Sequence, residues 1–127
     1  MKRLHIVMFL FLSVSGCAVM PTADEITKAD FGPIPIHEEV ESLIRERLMR
    51  SLVDPDSLKQ FKVYPAKKNA YKCGLTGSIN VFVWSVPYEY NAKNRMGGYT
   101  GLKSDTISFL KGKEVTVCAY ADGTLIQ

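Results

Sequence analysis

The segment Ile79–Val86 constrains the fold of this chain more than any other, because both of its faces are apolar. In an extended strand, successive side chains alternate between the two faces of the sheet. Each face of this segment carries three large apolar side chains: Ile79, Val81 and Val83 on one, and Phe82, Trp84 and Val86 on the other. The pattern predicts either a central strand covered on both sides or a strand with an exposed apolar face. We expect Pro87 to end the strand.

A second pattern predicts an amphipathic helix over His37–Val53. Its apolar residues recur at the spacing of one helical face: Val40, Leu43, Ile44, Leu48 and Leu52. Glutamates come before arginines along the segment, an order that complements the helix dipole. We expect the charged face to be solvated; the alternative is that its arginines contact a partner helix or an anionic surface. Asp54-Pro55-Asp56-Ser57 then ends the helix and turns the chain.

Three further segments are predicted to be strands, namely Leu58–Tyr64, Thr106–Leu110 and Glu114–Tyr120. Pro65–Asn69 is expected to be a loop, and Lys111-Gly112-Lys113 a hairpin turn between the last two strands. In the last strand, Val115, Val117 and Ala119 would share one face and Cys118 would lie on the other. The chain is therefore predicted to be α+β, with one N-terminal amphipathic helix packed on a small, mostly antiparallel sheet of about four strands.

The first sixteen residues have the pattern of a secretory signal peptide. Lys2 and Arg3 precede an apolar run, Leu4–Val14, that ends in small residues. As a helix this run would extend roughly 16 Å against a hydrocarbon core of about 30 Å, so it is too short to serve as a membrane-spanning anchor.

The end of the signal, Val14-Ser15-Gly16-Cys17, resembles the lipobox of bacterial lipoprotein precursors. The resemblance implies cleavage before Cys17, whose sulfur would carry a diacylglyceryl group, with palmitate as a typical acyl chain. Ala18 follows, and in the sorting rule of enteric bacteria alanine at that position permits export to the outer membrane. We therefore expect a lipoprotein anchored in the outer membrane and facing the periplasm.

The rest of the chain is expected to form a tether and one domain. Pro21, Pro33 and Pro35 interrupt any periodic pattern after the cysteine. The predicted organisation is a signal peptide over residues 1–16, the lipidated cysteine and a flexible tether over 17–36, and a single α+β periplasmic domain over 37–127. About 111 mature residues suffice for one modest core.

Two cysteines remain once Cys17 carries the lipid. In an exported protein, Cys73 and Cys118 are expected to form a structural disulfide. The alternative is a pair of buried free thiols. There is no C-x-x-C motif to favour redox catalysis, and His37 is the one histidine outside the signal, so no metal site is expected.

The net charge gives no support for nucleic-acid binding. The chain has 16 basic and 13 acidic side chains, but two of the basic ones, Lys2 and Arg3, belong to the signal. The mature chain is therefore close to neutral, without the strongly basic balance of nucleic-acid-binding proteins.

The most distinctive internal segment is Asn91–Gly101, with three glycines in five positions. Such a run needs positive φ angles or a close approach of the backbone, and its amides can form an anion-binding nest. The candidate partner- or anion-binding residues are Asn91, Lys93, Asn94, Arg95, Gly97, Gly98, Tyr99, Gly101 and Lys103. The alternative is a purely structural turn. Leu102 breaks the similarity to a phosphate-binding loop, so no nucleotide or other cofactor is expected.

Several segments resemble a family of small, uncharacterised exported proteins and lipoproteins of Gram-negative bacteria. They are Asp54-Pro55-Asp56-Ser57 with Phe61, Cys73-Gly74, and Asn91-Ala92-Lys93-Asn94 with Gly97-Gly98-Tyr99-Thr100-Gly101. The resemblance covers roughly Val53–Phe109. In the family pattern Cys-Gly lies a few residues before the asparagine segment, whereas here 16 residues separate them. The resemblance implies a compartment and a domain type, not a mechanism.

Catalysis is not expected. A Ser-His-Asp hydrolase needs an imidazole beside its serine, and His37 stands at the start of a surface helix. Glu38, Glu39 and Glu41 are explained by the helix dipole, and the remaining carboxylates are scattered, so no pair suited to glycoside cleavage is evident.

Three functional hypotheses follow. The first is a lipid-anchored envelope interaction module, a non-catalytic accessory subunit of an outer-membrane or secretion-type assembly with an envelope protein as partner. The alternative is a periplasmic inhibitor or immunity lipoprotein that blocks a cell-wall hydrolase or toxin; Tyr71-x-Cys73 resembles part of the pattern of membrane-bound lysozyme inhibitors. The third is binding of peptidoglycan or lipid phosphate by the Lys93–Lys103 turn.

Overall fold

The computed structural model describes residues 20–74, 77–118, 120–121 and 124–125. The predicted signal peptide, Cys17, Ala18 and Ala119 lie outside the described residues. The fold is α+β with an antiparallel sheet. Its elements are α1 (Ala23–Lys28), α2 (His37–Ser51), a 3-10 turn (Pro55–Ser57), β1 (Lys59–Val63), β2 (Lys67–Cys73), β3 (Ile79–Asn91), β4 (Lys103–Leu110), β5 (Lys113–Val115) and the small hairpin β6 (Tyr120–Ala121) and β7 (Thr124–Leu125).

The long strand β3 organises the sheet. On one side it pairs first with β2 and then with β1, so these two strands form one interrupted edge. On the other side it pairs with β4, which pairs in turn with β5. Ile79–Val86 thus lies in a central strand, the first of the two predicted alternatives.

Hydrophobic clusters cover both faces of β3. On one face, Val40, Ile44 and Leu48 of α2 pack against a group from the sheet that includes Val86 and Ile107. We call this the helix face. On the opposite face, Val81 and Val83 pack with Val115 and Cys73. Cys73 is bonded to Cys118, as predicted, and the neighbouring Val117 packs against this second cluster.

The prediction that Pro87 ends its strand is wrong, because β3 continues to Asn91. The carbonyl of Pro87 accepts a hydrogen bond from the N–H of Tyr64, on the side of β1 and β2. A strand residue directs its N and C=O to the same side, so the missing N–H of Pro87 faces the gap between β1 and β2. The proline therefore costs the sheet little.

Two other parts of the sheet also differ from the prediction, and one of them, β2, is a strand that the sequence pattern did not predict. Lys67–Asn69, expected in a loop, pairs with Val83–Ser85 as the start of β2. The lysines in this segment favoured a loop in the sequence analysis, although charged residues are also typical of an edge strand. The last predicted strand stops at Val115, and the chain then turns, with Cys118 at a φ of +65°. Val117 and the disulfide therefore pack in the same cluster rather than on opposite faces.

The predicted flexible tether does not extend to Ile36. Thr22 and Glu25 form a capping box at the start of α1. Phe31 is 3% exposed and packs on the rings of Phe82 and Trp84, with ring centres 5.9 and 5.6 Å apart. The folded unit therefore begins before His37. In the described part of the chain, no helix has both the length and the apolar character needed to cross a bilayer.

Candidate functional site

The segment Ala92–Leu102, here called the glycine-rich loop, joins β3 to β4 and folds as a small hairpin. Lys93 and Tyr99 form an antiparallel bridge. The N–H of Asn94 donates to the carbonyl of Gly98 at 2.9 Å, and the N–H of Gly97 donates to the carbonyl of Asn94 at 3.0 Å. Gly97 has a φ of +79°, a conformation that glycine adopts without strain.

The side chain of Asn94 fills the inside of this hairpin. Its Oδ1 accepts hydrogen bonds from the N–H groups of Met96 at 2.9 Å and Gly98 at 3.1 Å. These are amides that an anion-binding nest would need. Because Oδ1 of Asn94 already accepts from both amides, the loop forms a closed turn in which these two groups do not face an anion.

The base of the loop is fixed to the turn that follows α2. The N–H of Lys93 donates to Oγ of Ser57 at 2.9 Å, and this hydroxyl donates to the carbonyl of Asp54 at 2.6 Å. Nζ of Lys93 lies 4.0 Å from the Asp54 carboxylate. Two of the segments that carry the family resemblance, Asp54–Ser57 and the asparagine-lysine segment, are therefore in contact.

Two further contacts hold the loop against β1. The buried Asn91 donates from Nδ2 to Oε1 of Gln60 at 2.9 Å. Nζ of Lys59 lies 3.4 Å from the ring centre of Tyr99, in a cation–π contact. Gln60 has a φ of +53° at an irregularity in the pairing of β1 with β3, which sets this part of the edge strand beside the loop. Asn91 is thus a support of the loop and not an exposed contact residue.

The tip of the loop is exposed. Met96 is 94% exposed, and Arg95 beside it makes no ion pair with any described residue. Tyr99 and Leu102 are also exposed. A Cβ placed on Gly97 or Gly101 would meet nothing within 4 Å, so both glycines serve the backbone conformation and not a close approach.

Lys103 contacts a different group of residues. It is the first residue of β4 and its Nζ lies 5.9 Å from the ring centre of Tyr90. Tyr90 stacks on Tyr88, whose hydroxyl donates to Oδ2 of Asp105 at 3.1 Å. Burial, together with the nearby Asp105 carboxylate, raises the pKa of Tyr88 to about 12. The structure thus separates Lys103 from the contacts that hold Lys93.

Two carboxylates of the sheet, Glu89 and Glu114, each have a separate partner. Glu89 accepts from the hydroxyl of Tyr64 at 2.8 Å, and Glu114 pairs with Arg47 of α2 at 2.7 Å. The Glu114 contact raises the pKa of Arg47. Within the described ranges, no group of three His, Cys, Asp or Glu side chains is placed to hold a metal ion.

The sequence interpretation missed an apolar surface beside the start of α2. Ile34 and Ile36 are 61% and 56% exposed, and clefts of about 280 and 380 Å³ flank the segment that carries them. The larger is lined by Pro65, Ala66 and Val86, among others. The alternation of proline and isoleucine over residues 33–36 was the available signal, since prolines hold such a segment extended.

Comparison with known proteins adds no relative to these observations. No family model, no curated protein and no solved structure matches the chain. The function is therefore inferred from the residues and their geometry.

Proposed function

We propose that the protein is a lipid-anchored envelope interaction module, a non-catalytic accessory subunit of an outer-membrane or secretion-type assembly. The observation that carries this proposal is the construction of the glycine-rich loop. Its base is fixed to Ser57, Lys59 and Gln60, while its tip presents Arg95 and Met96 to solvent.

A loop of this kind is suited to binding another protein. Because its conformation is already fixed by internal hydrogen bonds, little conformational entropy remains to be lost on association. Methionine and arginine are both enriched in protein interfaces, where the first adapts its shape and the second offers several donors. A single exposed methionine is ordinary on a protein surface, but one at the apex of a fixed hairpin is positioned to be an anchor residue.

The proposed lipid on Cys17 would hold the domain close to the membrane. Ala23, the first residue of α1, lies six residues after Cys17. Even a fully extended chain of that length spans only about 21 Å. The partner we expect is therefore an envelope protein that reaches within a few nanometres of the bilayer, and Ala18 favours the outer membrane.

Site-specific photo-crosslinking in cells tests the proposal. The full chain carries a photoreactive amino acid at Met96, and a matched chain carries it at Glu46, an exposed residue of α2. We expect position 96 to capture subunits of one envelope assembly and position 46 to give background. Equal patterns at both positions, or background at both, would overturn the proposal.

A second variant tests the anchor. Cys17→Ser removes the sulfur that would carry the lipid, so the protein should keep its uncleaved signal peptide and be lost from the outer-membrane fraction. An unchanged amount of mature-size protein in the outer-membrane fraction would contradict the anchor without bearing on the role of the loop.

The same loop supports the second candidate, an inhibitor or immunity lipoprotein. A convex, fixed tip with Arg95 and Met96 has the shape needed to enter the concave active site of a cell-wall hydrolase. In that case position 96 captures a single hydrolase or toxin, and the purified protein inhibits it. Arg95→Ala with Met96→Asp should then weaken inhibition by about tenfold or more, the usual effect of losing an anchor residue. The occupied amides of Met96 and Gly98 disfavour the third hypothesis, phosphate binding by the turn.

A further inference from the structure

The outer edge of β4 is open over half of its length. The short strand β5 pairs only with Ser108–Leu110. In the part of the chain that the structure describes, no strand pairs with the outer side of Lys103–Ile107. An open edge exposes a row of backbone donors and acceptors that another strand can bind.

The register identifies which backbone groups face outward. Pro87 directs its carbonyl toward β1, and Thr106 lies directly opposite Pro87 in β4. This pair is therefore not hydrogen-bonded across the β3–β4 ladder, and the N–H and C=O of Thr106 point away from β3. By the alternation along a strand, the same holds for Ser104.

We propose that two copies of this chain pair through their β4 edges, antiparallel, about a twofold axis at Ser104. In this register Ser104 lies opposite Ser104 of the second copy, Lys103 opposite Asp105 of the second copy, and Leu102 opposite Thr106 of the second copy. The inference concerns an interface between copies and does not depend on the partner proposed for the glycine-rich loop.

Charge complementarity selects this register. Lys103 and Asp105 lie on the helix face, opposite Tyr90 and Tyr88 of β3. Pairing at Ser104 forms two reciprocal Lys103–Asp105 pairs between the copies, and opposite charges directly across a ladder stabilise it. Moving the axis by one residue would set lysine against lysine or aspartate against aspartate, which is unfavourable.

The shape of the edge fits the same arrangement. A cleft of about 280 Å³ opens where β5 leaves β4, and Thr106, Val115 and Val117 are among its lining residues. Leu102 of the second copy would lie at its mouth, opposite Thr106. Leu102 is 54% exposed in the single chain, so pairing would remove apolar surface from water.

The open segment has defined ends. Beyond Leu102, Gly101 has a φ of +93° and turns the chain out of the strand. Beyond Ile107, β5 occupies the edge. In the single chain Oδ1 of Asp105 accepts from the N–H of Thr106 at 2.7 Å, which shields the edge. On pairing, the carbonyl of Leu102 from the second copy takes the place of this carboxylate oxygen, leaving it free for Lys103.

Disulfide cross-linking in the periplasm tests the register. Ser104→Cys places two thiols on the axis, within the distance that a disulfide can bridge. Thr106→Cys is the matched control on the same edge, because the two copies of Thr106 would be about 14 Å apart, too far for a bridge. We expect non-reducing gels to show at least a fivefold greater dimer fraction for Ser104→Cys than for Thr106→Cys, after subtraction of the dimer formed by the unsubstituted chain. Equal fractions would overturn the proposal.

A charge exchange provides an independent test. Lys103→Asp, introduced into the Ser104→Cys chain, should reduce the dimer fraction several-fold, and adding Asp105→Lys should restore it. Circular dichroism melts confirm that each variant is folded, which matters for Asp105 because it binds Tyr88. If neither Lys103→Asp nor the added Asp105→Lys changes the dimer fraction, the proposed pairing is overturned.

Discussion

The N–H of Lys93 donates a hydrogen bond of 2.9 Å to the hydroxyl of Ser57, 36 residues earlier in the chain. The same hydroxyl donates to the carbonyl of Asp54, so Ser57 joins the turn after α2 to the base of the glycine-rich loop. Ser57 is buried, and both of its hydrogen bonds lie in partly buried surroundings. The sequence predicts only a turn at Ser57, whereas in the structure this residue supports the glycine-rich loop.

Ser57→Ala should destabilise the protein by about 1–3 kcal/mol, because it leaves the partly buried N–H of Lys93 without its acceptor. The measurement is the midpoint of urea-induced unfolding followed by circular dichroism. Ser42→Ala is the matched control, since Ser42 is an exposed residue of α2 and its replacement should change the free energy of unfolding by less than about 0.5 kcal/mol. Equal midpoints for the two variants would show that the Ser57 contact is not needed.

Gly32→Ala should be more damaging than Gly97→Ala, although both glycines have positive φ. The φ angles are +70° and +79°, so alanine is strained at either position by about 1–2 kcal/mol. At Gly32 a Cβ would also lie 2.5 Å from Cα of Lys111, a backbone atom, whereas at Gly97 it would meet nothing.

The difference between these two variants measures the cost of the close contact. We expect Gly32→Ala to lose roughly 1–3 kcal/mol more than Gly97→Ala, the usual cost of overpacking. Thermal unfolding of the two proteins side by side provides the comparison. Equal losses would mean that the segment Phe31–Pro33 moves away from the Lys111 turn without cost.

Reduction of the Cys73–Cys118 disulfide should lower the free energy of unfolding by roughly 2–4 kcal/mol. The bond spans 45 residues, and cross-links over long segments restrict the unfolded chain most in the chain-entropy model. Thermal unfolding with and without a thiol reductant measures the effect. A double Cys73→Ala, Cys118→Ala variant is the control and should show no response to reductant. An identical melting temperature for the oxidised and reduced wild-type protein would contradict the prediction.

The parts of the fold that could be predicted from the sequence are those dominated by side-chain periodicity. The apolar spacing of Val40, Ile44 and Leu48 predicts α2, and the two apolar faces of Ile79–Val86 predict a covered central strand. The disulfide was expected from the export that the signal-peptide pattern predicts and from the number of cysteines. In each case the local pattern and the tertiary packing favour the same structure.

The errors lie where tertiary contacts outweigh local signals. From the sequence alone, Pro87 predicts the end of a strand. In the structure its carbonyl accepts from the N–H of Tyr64, so the missing N–H of Pro87 faces the gap between β1 and β2. Phe31 lies between breakers, and only the rings of Phe82 and Trp84 explain why it is buried. For the candidate site, the glycines indicated a turn, but its attachment to Ser57 depends on a contact across 36 residues that no local pattern encodes.

Alkaline pH should destabilise the protein through Tyr88. Its pKa is raised to about 12 in the folded protein by burial and by Asp105, against about 10 for a free tyrosine. Folding therefore favours the protonated hydroxyl. The resulting stabilisation is complete below pH 10 and is lost as the pH rises from about 10 through 12.

The variant Tyr88→Phe isolates this effect. Below pH 9 it should be less stable than the wild type, because the hydrogen bond to Asp105 is missing, and the two proteins should converge as the pH rises from 10 to 12. Urea unfolding at pH 8.5, 10 and 11.5 measures the difference at each pH. Glu89 also raises the pKa of the partly buried Tyr64, so Tyr64→Phe is measured in parallel to identify its share. A difference between wild type and Tyr88→Phe that stays constant up to pH 11.5 would show that Tyr88 is not the group responsible.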